Sequence, residues 1–192
     1  MSRGPFRTFY WPKSFLGALI RAIAVSALLL VGWAWLTGRL TSPMVDVEQR
    51  RRGNLIHLKL MLVEYLDRAR ERPEMLQTGA EHPLVAVVRS HGPYAYLLVS
   101  PLVKVVPDDF SFRELTADMV SYETWELEDL QRLRDFRKSD PAFNPLQIWE
   151  TVPGPDGTRY AVVDLVTVLL TQEEFEKKIA QTAALLLKLR VE

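Results

Sequence analysis

The side chains with the widest chemical repertoire are three histidines, His57, His82 and His91. Histidines bind zinc when two of them stand at His-Glu-x-x-His or similarly close spacing, and no pair here has that spacing. The chain also contains no cysteine, which excludes thiolate metal sites, disulfides and cysteine nucleophiles. We therefore predict surface or helix-capping roles for the histidines and no metal site.

Asp164 is the acidic residue that most resembles a functional group. It stands inside an otherwise apolar segment, where an unpaired carboxylate costs several kcal/mol and must find a partner, solvent or a raised pKa. One interpretation is a ligand-binding or acid/base group. The other is a carboxylate that faces solvent or pairs with a nearby arginine, and this second interpretation is the one we favour.

A second acidic group near Trp125 could bind a cation, but acidic runs on an exposed helix are usually only solvated. No Gly-rich phosphate loop follows a predicted strand, and no Gly-x-Ser-x-Gly motif is present. The sequence therefore predicts no catalytic residue, no cofactor-binding residue, no metal ligand and no cofactor, and hence a protein that is not an enzyme. The acidic group consists of Glu123, Glu126, Glu128 and Asp129.

Charge and length limit the kinds of partner. The 24 Lys and Arg residues balance the 24 Asp and Glu residues, so no summed positive field attracts a polyanion. Nucleic acid is therefore not an expected partner. The 192 residues leave room for one ordinary domain and an anchor.

The uncharged segment from Ala22 to Thr37 predicts a membrane anchor. Extended back to residue 15, past the single Arg21, it reaches the about 20 residues that a helix needs to cross the hydrocarbon core. Aromatic residues flank the segment, as at membrane interfaces, and the bulky residues at its end do not fit a signal-peptide cleavage site. We expect an uncleaved transmembrane helix over residues 15–38, with the lipid bilayer as a partner.

The flanking segments bear on orientation. Residues 1–14 are a short basic and aromatic tail, and residues 39–45 are a tether in which Pro43 discourages continuous helix. Lys and Arg are nearly balanced across the span, but the charges of the tail and the lack of cysteine favour a cytoplasmic N-terminus. This prediction gives a single-pass protein of the inner membrane whose soluble α/β domain, residues 46–192, is periplasmic.

The first element of that domain is a predicted helix from about Asp46 to Arg72, ended by Pro73. Its apolar stripe fits either a coiled-coil dimer seam or a core helix on a sheet. Two heptads are fewer than the three or four that define a coiled coil, so we favour the core helix. The stripe consists of Leu55, Leu58, Leu62, Tyr65 and Ala69.

The middle of the chain predicts a hairpin and then helices. Residues 84–88 and 94–99 are short β-rich runs separated by a turn that contains Gly-Pro. Ser-Phe-Arg-Glu at residues 111–114 is a capping-box pattern and predicts a helix start, and a further amphipathic helix is predicted over residues 124–138. The sequence leaves open whether residues 119–123 join these helices, interrupt them or form a strand.

The last third predicts a second hairpin and a final helix. Residues 146–152 and 158–170 flank a turn that contains Asp-Gly, the dipeptide that tight hairpins favour. The second strand is apolar on both faces, which predicts a central, covered position. Thr171 and Glu174 form a capping box that opens a helix running to the C-terminus.

Together these elements give the order α-ββ-α-ββ-α, an α+β layer of about four antiparallel strands covered by helices, ferredoxin-like or PAS-like. Behind a short tail and one span, this outline resembles the periplasmic ferredoxin-like domains of the bitopic assembly-platform proteins of type IV pili and type II secretion. The final helix and the short membrane-proximal helix differ from the long coiled coil of those families.

The sequence therefore predicts a bitopic, non-enzymatic subunit or scaffold of an inner-membrane or envelope complex, such as a secretion, pilus or conjugation-type assembly. Its expected protein partners are other membrane proteins or a second copy of the chain. The alternative is a membrane-tethered sensory or ligand-binding module, because PAS-like sensors also follow a membrane-proximal helix with a small antiparallel sheet.

Overall fold

A computed structural model of the protein describes Ser26 and residues 43–77, 79 and 81–191. Apart from Ser26, the predicted tail (1–14) and the predicted transmembrane helix (15–38) lie outside these residues. None of the helices within the described residues has the length and hydropathy of a membrane span. The chain divides into a unit Met1–Asp46 and a unit Val47–Glu192, and the sheet and core described below belong to the second unit.

Four antiparallel strands form one sheet: β1 (Tyr122–Thr124), β2 (Leu146–Glu150), β3 (Arg159–Val163) and β4 (Val166–Leu170). The strands lie across the sheet in chain order, so each pairs with its neighbours along the chain. An irregularity between Leu146 and Ile148 interrupts the pairing of β2 with β3. The predicted four-stranded antiparallel sheet is confirmed.

Helices cover both faces of this sheet. The larger core combines residues of α1 (Pro43–Ala69), α2 (Pro83–His91) and α3 (Leu127–Ser139) with Val162 of β3. Successive strand residues point to opposite faces, and the neighbouring residues of β3 pack in a second core with α4 (Gln172–Leu189). The α+β class is therefore confirmed.

The apolar stripe of α1 is buried along its whole length, from Leu55 to Ala69, as the core-helix interpretation expects. The helix begins at Pro43 and not at about Asp46, and the residues that would connect it to the predicted span lie outside the described residues. Proline is tolerated at the first helical position, because the N–H that it lacks would make no hydrogen bond within the helix there. Pro73 starts a short 3₁₀ helix, Pro73–Leu76.

The first predicted hairpin is wrong. Residues 84–88 belong to α2, which His82 caps and in which Pro83 occupies the first turn. Residues 94–99 contain a 3₁₀ helix, Ala95–Leu98. Within α2 the valines fall at helical spacing and are buried, so tertiary packing outweighs the strand preference of β-branched side chains.

The segment after Ser111 forms only a turn. The Ser111 N–H donates to the Glu114 carboxylate (3.0 Å), as in a capping box, but no helix starts there, and the predicted helix start is wrong. The next helical element is a short 3₁₀ helix, Ala117–Met119. Residues 119–123, for which the sequence left three possibilities open, supply part of strand β1, since Tyr122 pairs with Glu150. Helix α3 then begins at Leu127.

The predicted strand over residues 158–170 is two strands, β3 and β4, joined by a tight turn at Asp164 and Leu165. Both turn residues have positive φ, 48° and 64°, the backbone that a two-residue hairpin requires. Asp164 therefore lies in a turn and not inside a strand. The predicted order α-ββ-α-ββ-α is wrong, because a second helix replaces the first hairpin and three strands follow α3.

The end of the fold agrees with prediction. Thr171 caps α4, and both hydrogen bonds of the capping box with Glu174 are formed. The Thr182 side chain, within this helix, accepts a hydrogen bond from the Leu146 N–H (3.0 Å). The capped helix is thus tied to the first residue of β2.

Candidate functional site: a basic cleft beside an exposed edge strand

The three histidines occupy capping and surface positions. His82 accepts a hydrogen bond at Nδ1 from the Leu84 N–H (3.2 Å), and burial lowers the pKa of His82. His91 ends the same helix, with Nδ1 2.8 Å from the Val87 carbonyl oxygen, and His57 is exposed. Within the described part of the chain, no three His, Cys, Asp or Glu side chains are grouped so that they could hold a metal ion.

Of the acidic residues near Trp125, only Asp129 is buried. It forms ion pairs with Arg132 and Arg190. Burial raises the pKa of Asp129, but hydrogen bonds from Arg190 and Arg132 outweigh burial and lower it overall. This carboxylate ties α3 to the residue that follows α4. The other acidic residues are exposed: Glu123, Glu126 and Glu128.

Asp164 forms an ion pair with Arg137 of α3. Of the two expected environments, solvent or a nearby arginine, the structure shows the arginine. The Asp164 backbone N–H donates to the Pro145 carbonyl oxygen (3.0 Å). Asp164 and Arg137 both line a cleft of about 310 Å³ bounded by α1, α3, β2 and the β3–β4 turn. We name it the basic cleft, and its polar lining consists of Arg70, Arg134, Arg137, Lys138, Gln147 and Asp164.

Three of the four cations in the basic cleft are held by carboxylates at its rim. Arg134 donates to Asp67 Oδ1 (2.6 Å). Arg70 and Lys138 both contact Asp135, at 3.3 and 2.5 Å. The carboxylates of these pairs are 52% exposed, so each pair is weak. With Asp164 included, the cations of the cleft exceed the carboxylates by one.

Several polar atoms of the basic cleft lack hydrogen bonds from described residues. Arg137 Nε and Asp164 Oδ1 meet in an ion pair but neither has a hydrogen bond, and the terminal amino groups of Arg137, whose side chain is 37% exposed, bond no described residue. Gln147 is only 7% exposed, and its Oε1 is buried without a hydrogen bond from any described residue. A buried polar atom left unpaired costs about 1–3 kcal/mol, so the cleft has donors and an acceptor available for a ligand.

Strand β4 lies next to the basic cleft and forms an open edge of the sheet. It pairs with β3 on one side, and no described strand pairs with its other side. Val166 is 58% exposed and Leu169 is 45% exposed. The strand contains no charge, no proline and no bulge, which are the devices that usually protect a sheet edge from other chains.

Leu165 joins the basic cleft to the edge strand. It lines the cleft, is 39% exposed and has φ of 64°. A left-handed backbone costs a residue such as leucine about 1–2 kcal/mol, and glycine or asparagine is usual at such a turn position. An exposed apolar side chain held in a strained turn suggests a role in recognition.

Sequence reasoning singled out Asp164 but missed the basic cleft and the open edge. The cleft draws on four separate chain segments, so no local motif encodes it. The split of residues 158–170 into two strands did have a signal, because a single polar residue interrupts an apolar run that is long for one strand. Comparison with protein-family models, with curated proteins and with solved structures found no match to this chain.

Proposed function

We propose that the protein is a membrane-anchored, non-enzymatic docking subunit of an inner-membrane or envelope protein complex. Residues 15–38 form its single transmembrane helix, and the soluble unit lies in the periplasm. The open edge of β4 receives an extended segment of a partner subunit. The observation that carries the proposal is this uncharged, exposed edge, which Leu165 extends at the turn.

Strand addition explains why the edge is open. An added strand would satisfy the unpaired backbone groups of β4, and its alternate side chains would cover Val166 and Leu169. Val163 and Val166 flank the two-residue turn, and residues in this position form a hydrogen-bonded pair. Along the two strands, hydrogen-bonded pairs then alternate with pairs that are not hydrogen-bonded. The N–H groups of Thr167 and Leu169 therefore face the open edge.

The partner segment is expected to be apolar and uncharged where it meets β4, because a charge buried against an uncharged strand would have no counter-ion. A second copy of the chain satisfies this requirement, as does a different subunit with an open edge of its own. A ligand-binding module remains the second candidate function, because the basic cleft contains unpaired polar groups.

Two variants test the docking role in the full chain, purified from membranes in mild detergent. Thr167→Pro removes an N–H that faces the open edge and leaves the β3–β4 hydrogen bonds in place. Leu169→Lys adds a charge to the edge. The matched control is Leu187→Lys on α4, where the leucine is 65% exposed.

We expect the wild type and Leu187→Lys to co-purify with the same stoichiometric partner or to form the same homodimer, and both edge variants to lose it. Identical partners in all four proteins would contradict docking at β4. Release of the wild type from membranes by carbonate would contradict the anchor, and a reporter fused to Glu192 would test the periplasmic orientation.

A further inference from the structure

The basic cleft has the features of a binding site for a small anion. We infer that it binds a compact molecule with a carboxylate or phosphate head and an apolar body. The proposal is independent of strand addition at β4. It rests on the unpaired end of Arg137, the unpaired oxygen of Gln147 and the apolar wall of the cleft.

Arg137 supplies the anion contact. Its Nε lies against Asp164 in an ion pair without a hydrogen bond, and its terminal amino groups, which bond no described residue, are available to a second acceptor. Two parallel N–H donors match the two oxygens of a carboxylate or phosphate. Arg134 and Lys138 line the same cleft and add positive charge near the bound head.

Gln147 adds a polar contact at a buried position. Its Oε1 is shielded from solvent and unpaired within the described residues, so a hydroxyl or N–H of a ligand would satisfy it. Such a bond would be favoured because the unbound state leaves the acceptor unpaired. The site would therefore prefer an anion that also carries a hydrogen-bond donor.

The remaining wall of the basic cleft is apolar. Leu62 and Leu66 contribute from α1, and Leu165 contributes from the turn. The volume of about 310 Å³ is at the lower end of the range for small-molecule pockets. These dimensions fit one ring or a short chain attached to a single anionic head.

Calorimetry on the full chain in an uncharged detergent tests this inference. The probes are benzoate, 4-hydroxybenzoate, phenyl phosphate, inorganic phosphate and the uncharged benzyl alcohol. We expect benzoate, 4-hydroxybenzoate or phenyl phosphate to bind, inorganic phosphate to bind more weakly and benzyl alcohol not to bind. Binding is expected to weaken as salt concentration rises, because the contact is ionic.

Four variants, one of them a control, assign the binding to the basic cleft. Arg137→Met removes the anion contact and is expected to weaken binding of the anionic probes about tenfold or more. Gln147→Met removes the acceptor and is expected to weaken binding of 4-hydroxybenzoate, which carries a hydroxyl donor, but not of benzoate. Arg132→Met is the control, since Arg132 lies on the same helix outside the cleft. Because Arg137→Met leaves Asp164 unpaired, the variant Arg137→Met with Asp164→Asn is measured as well.

Absence of binding by benzoate, 4-hydroxybenzoate and phenyl phosphate alike at millimolar concentration would overturn the proposal. So would equal affinity for the anionic probes in the wild type and Arg137→Met, or for 4-hydroxybenzoate in the wild type and Gln147→Met. Tighter binding of inorganic phosphate than of phenyl phosphate would contradict the apolar part of the site. None of these outcomes depends on whether β4 binds a partner, so the test is separate from that of the docking function.

Discussion

Arg51 of α1 and Glu150 of β2, 99 positions apart in the chain, form a buried two-point ion pair. Arg51 Nε donates to Oε1 at 3.0 Å and Nη2 donates to Oε2 at 2.7 Å. The Tyr160 N–H also donates to Glu150 (2.9 Å), and the Arg51 guanidinium lies 5.1 Å from the centre of the Tyr160 ring. The pair thus fixes α1, β2 and β3 relative to one another.

Loss of one member of this pair is expected to destabilise the unit Val47–Glu192 strongly. Arg51→Met leaves the Glu150 carboxylate buried without its counter-ion, which typically costs about 3–5 kcal/mol. The measurement is urea unfolding followed by tryptophan fluorescence, with Arg52→Met, at an exposed neighbour, as control. A loss no larger than that of the control would show that the pair contributes little.

The turn before β3 contains two glycines that are needed for different reasons. A Cβ at Gly154 would lie 2.9 Å from Arg51 Nη1 and 3.0 Å from Asp156 Oδ1. Because Arg51 is held by Glu150, Gly154→Ala is expected to cost about 1–3 kcal/mol through overpacking. At Gly157 the space is open but φ is +77°, so Gly157→Ala is expected to cost about 1 kcal/mol through backbone strain.

A double-mutant cycle separates these causes. In an Arg51→Met background the contact with Arg51 is removed and that with Asp156 remains, so the effect of Gly154→Ala is expected to shrink while that of Gly157→Ala is unchanged. Additive effects at Gly154 and Arg51 would contradict the close contact between them.

Asp129 is expected to make part of the stability depend on acid pH. Its pKa is lowered in the fold, so its contribution is complete above the unfolded value of about 4 and is lost as pH falls through the folded pKa. Asp129→Asn is therefore expected to lose about 1–3 kcal/mol at pH 7 and to approach the wild type at acid pH. The comparison uses urea unfolding at both pH values, with Glu128→Gln as control, and a pH-independent difference would contradict it.

Leu165 is expected to strengthen binding of the partner and to lower the stability of the fold. Leu165→Asn relieves the left-handed strain of about 1 kcal/mol and loses some apolar contact, so stability is expected to change by less than about 0.5 kcal/mol. Partner recovery is expected to fall, because an apolar side chain at the docking surface is lost. A variant that retains the partner in full would show that Leu165 lies outside the docking surface.

Helices and hairpins could be predicted where two independent sequence patterns indicate the same structure. Helix α4 combines a capping box with an apolar face, and the β2–β3 hairpin combines strand-forming runs with Asp-Gly. Helix α2 was misassigned because its five apolar residues in succession fit a short strand as well as a buried helix turn. His82-Pro83 before the run and Gly92 after it were the signals for the helix.

The candidate site is harder to predict, because its residues come from distant positions in the chain. The polarity of Asp164 within an apolar run marks it in the sequence, which favours either exposure to solvent or pairing with an arginine. That the arginine would be Arg137, with Gln147 nearby, depends on how α3 crosses the sheet. Only the packed structure brings these side chains into one cleft.

Site-specific crosslinking in intact membranes tests docking at β4 most directly. The chain contains no cysteine, so Val166→Cys introduces a single attachment point for a maleimide photocrosslinker at the open edge, and Leu187→Cys introduces a matched one on α4. We expect a discrete crosslinked protein or a crosslinked dimer from position 166 and none from position 187. Crosslinks that are absent from position 166, or equally strong from both positions, would contradict strand addition at β4.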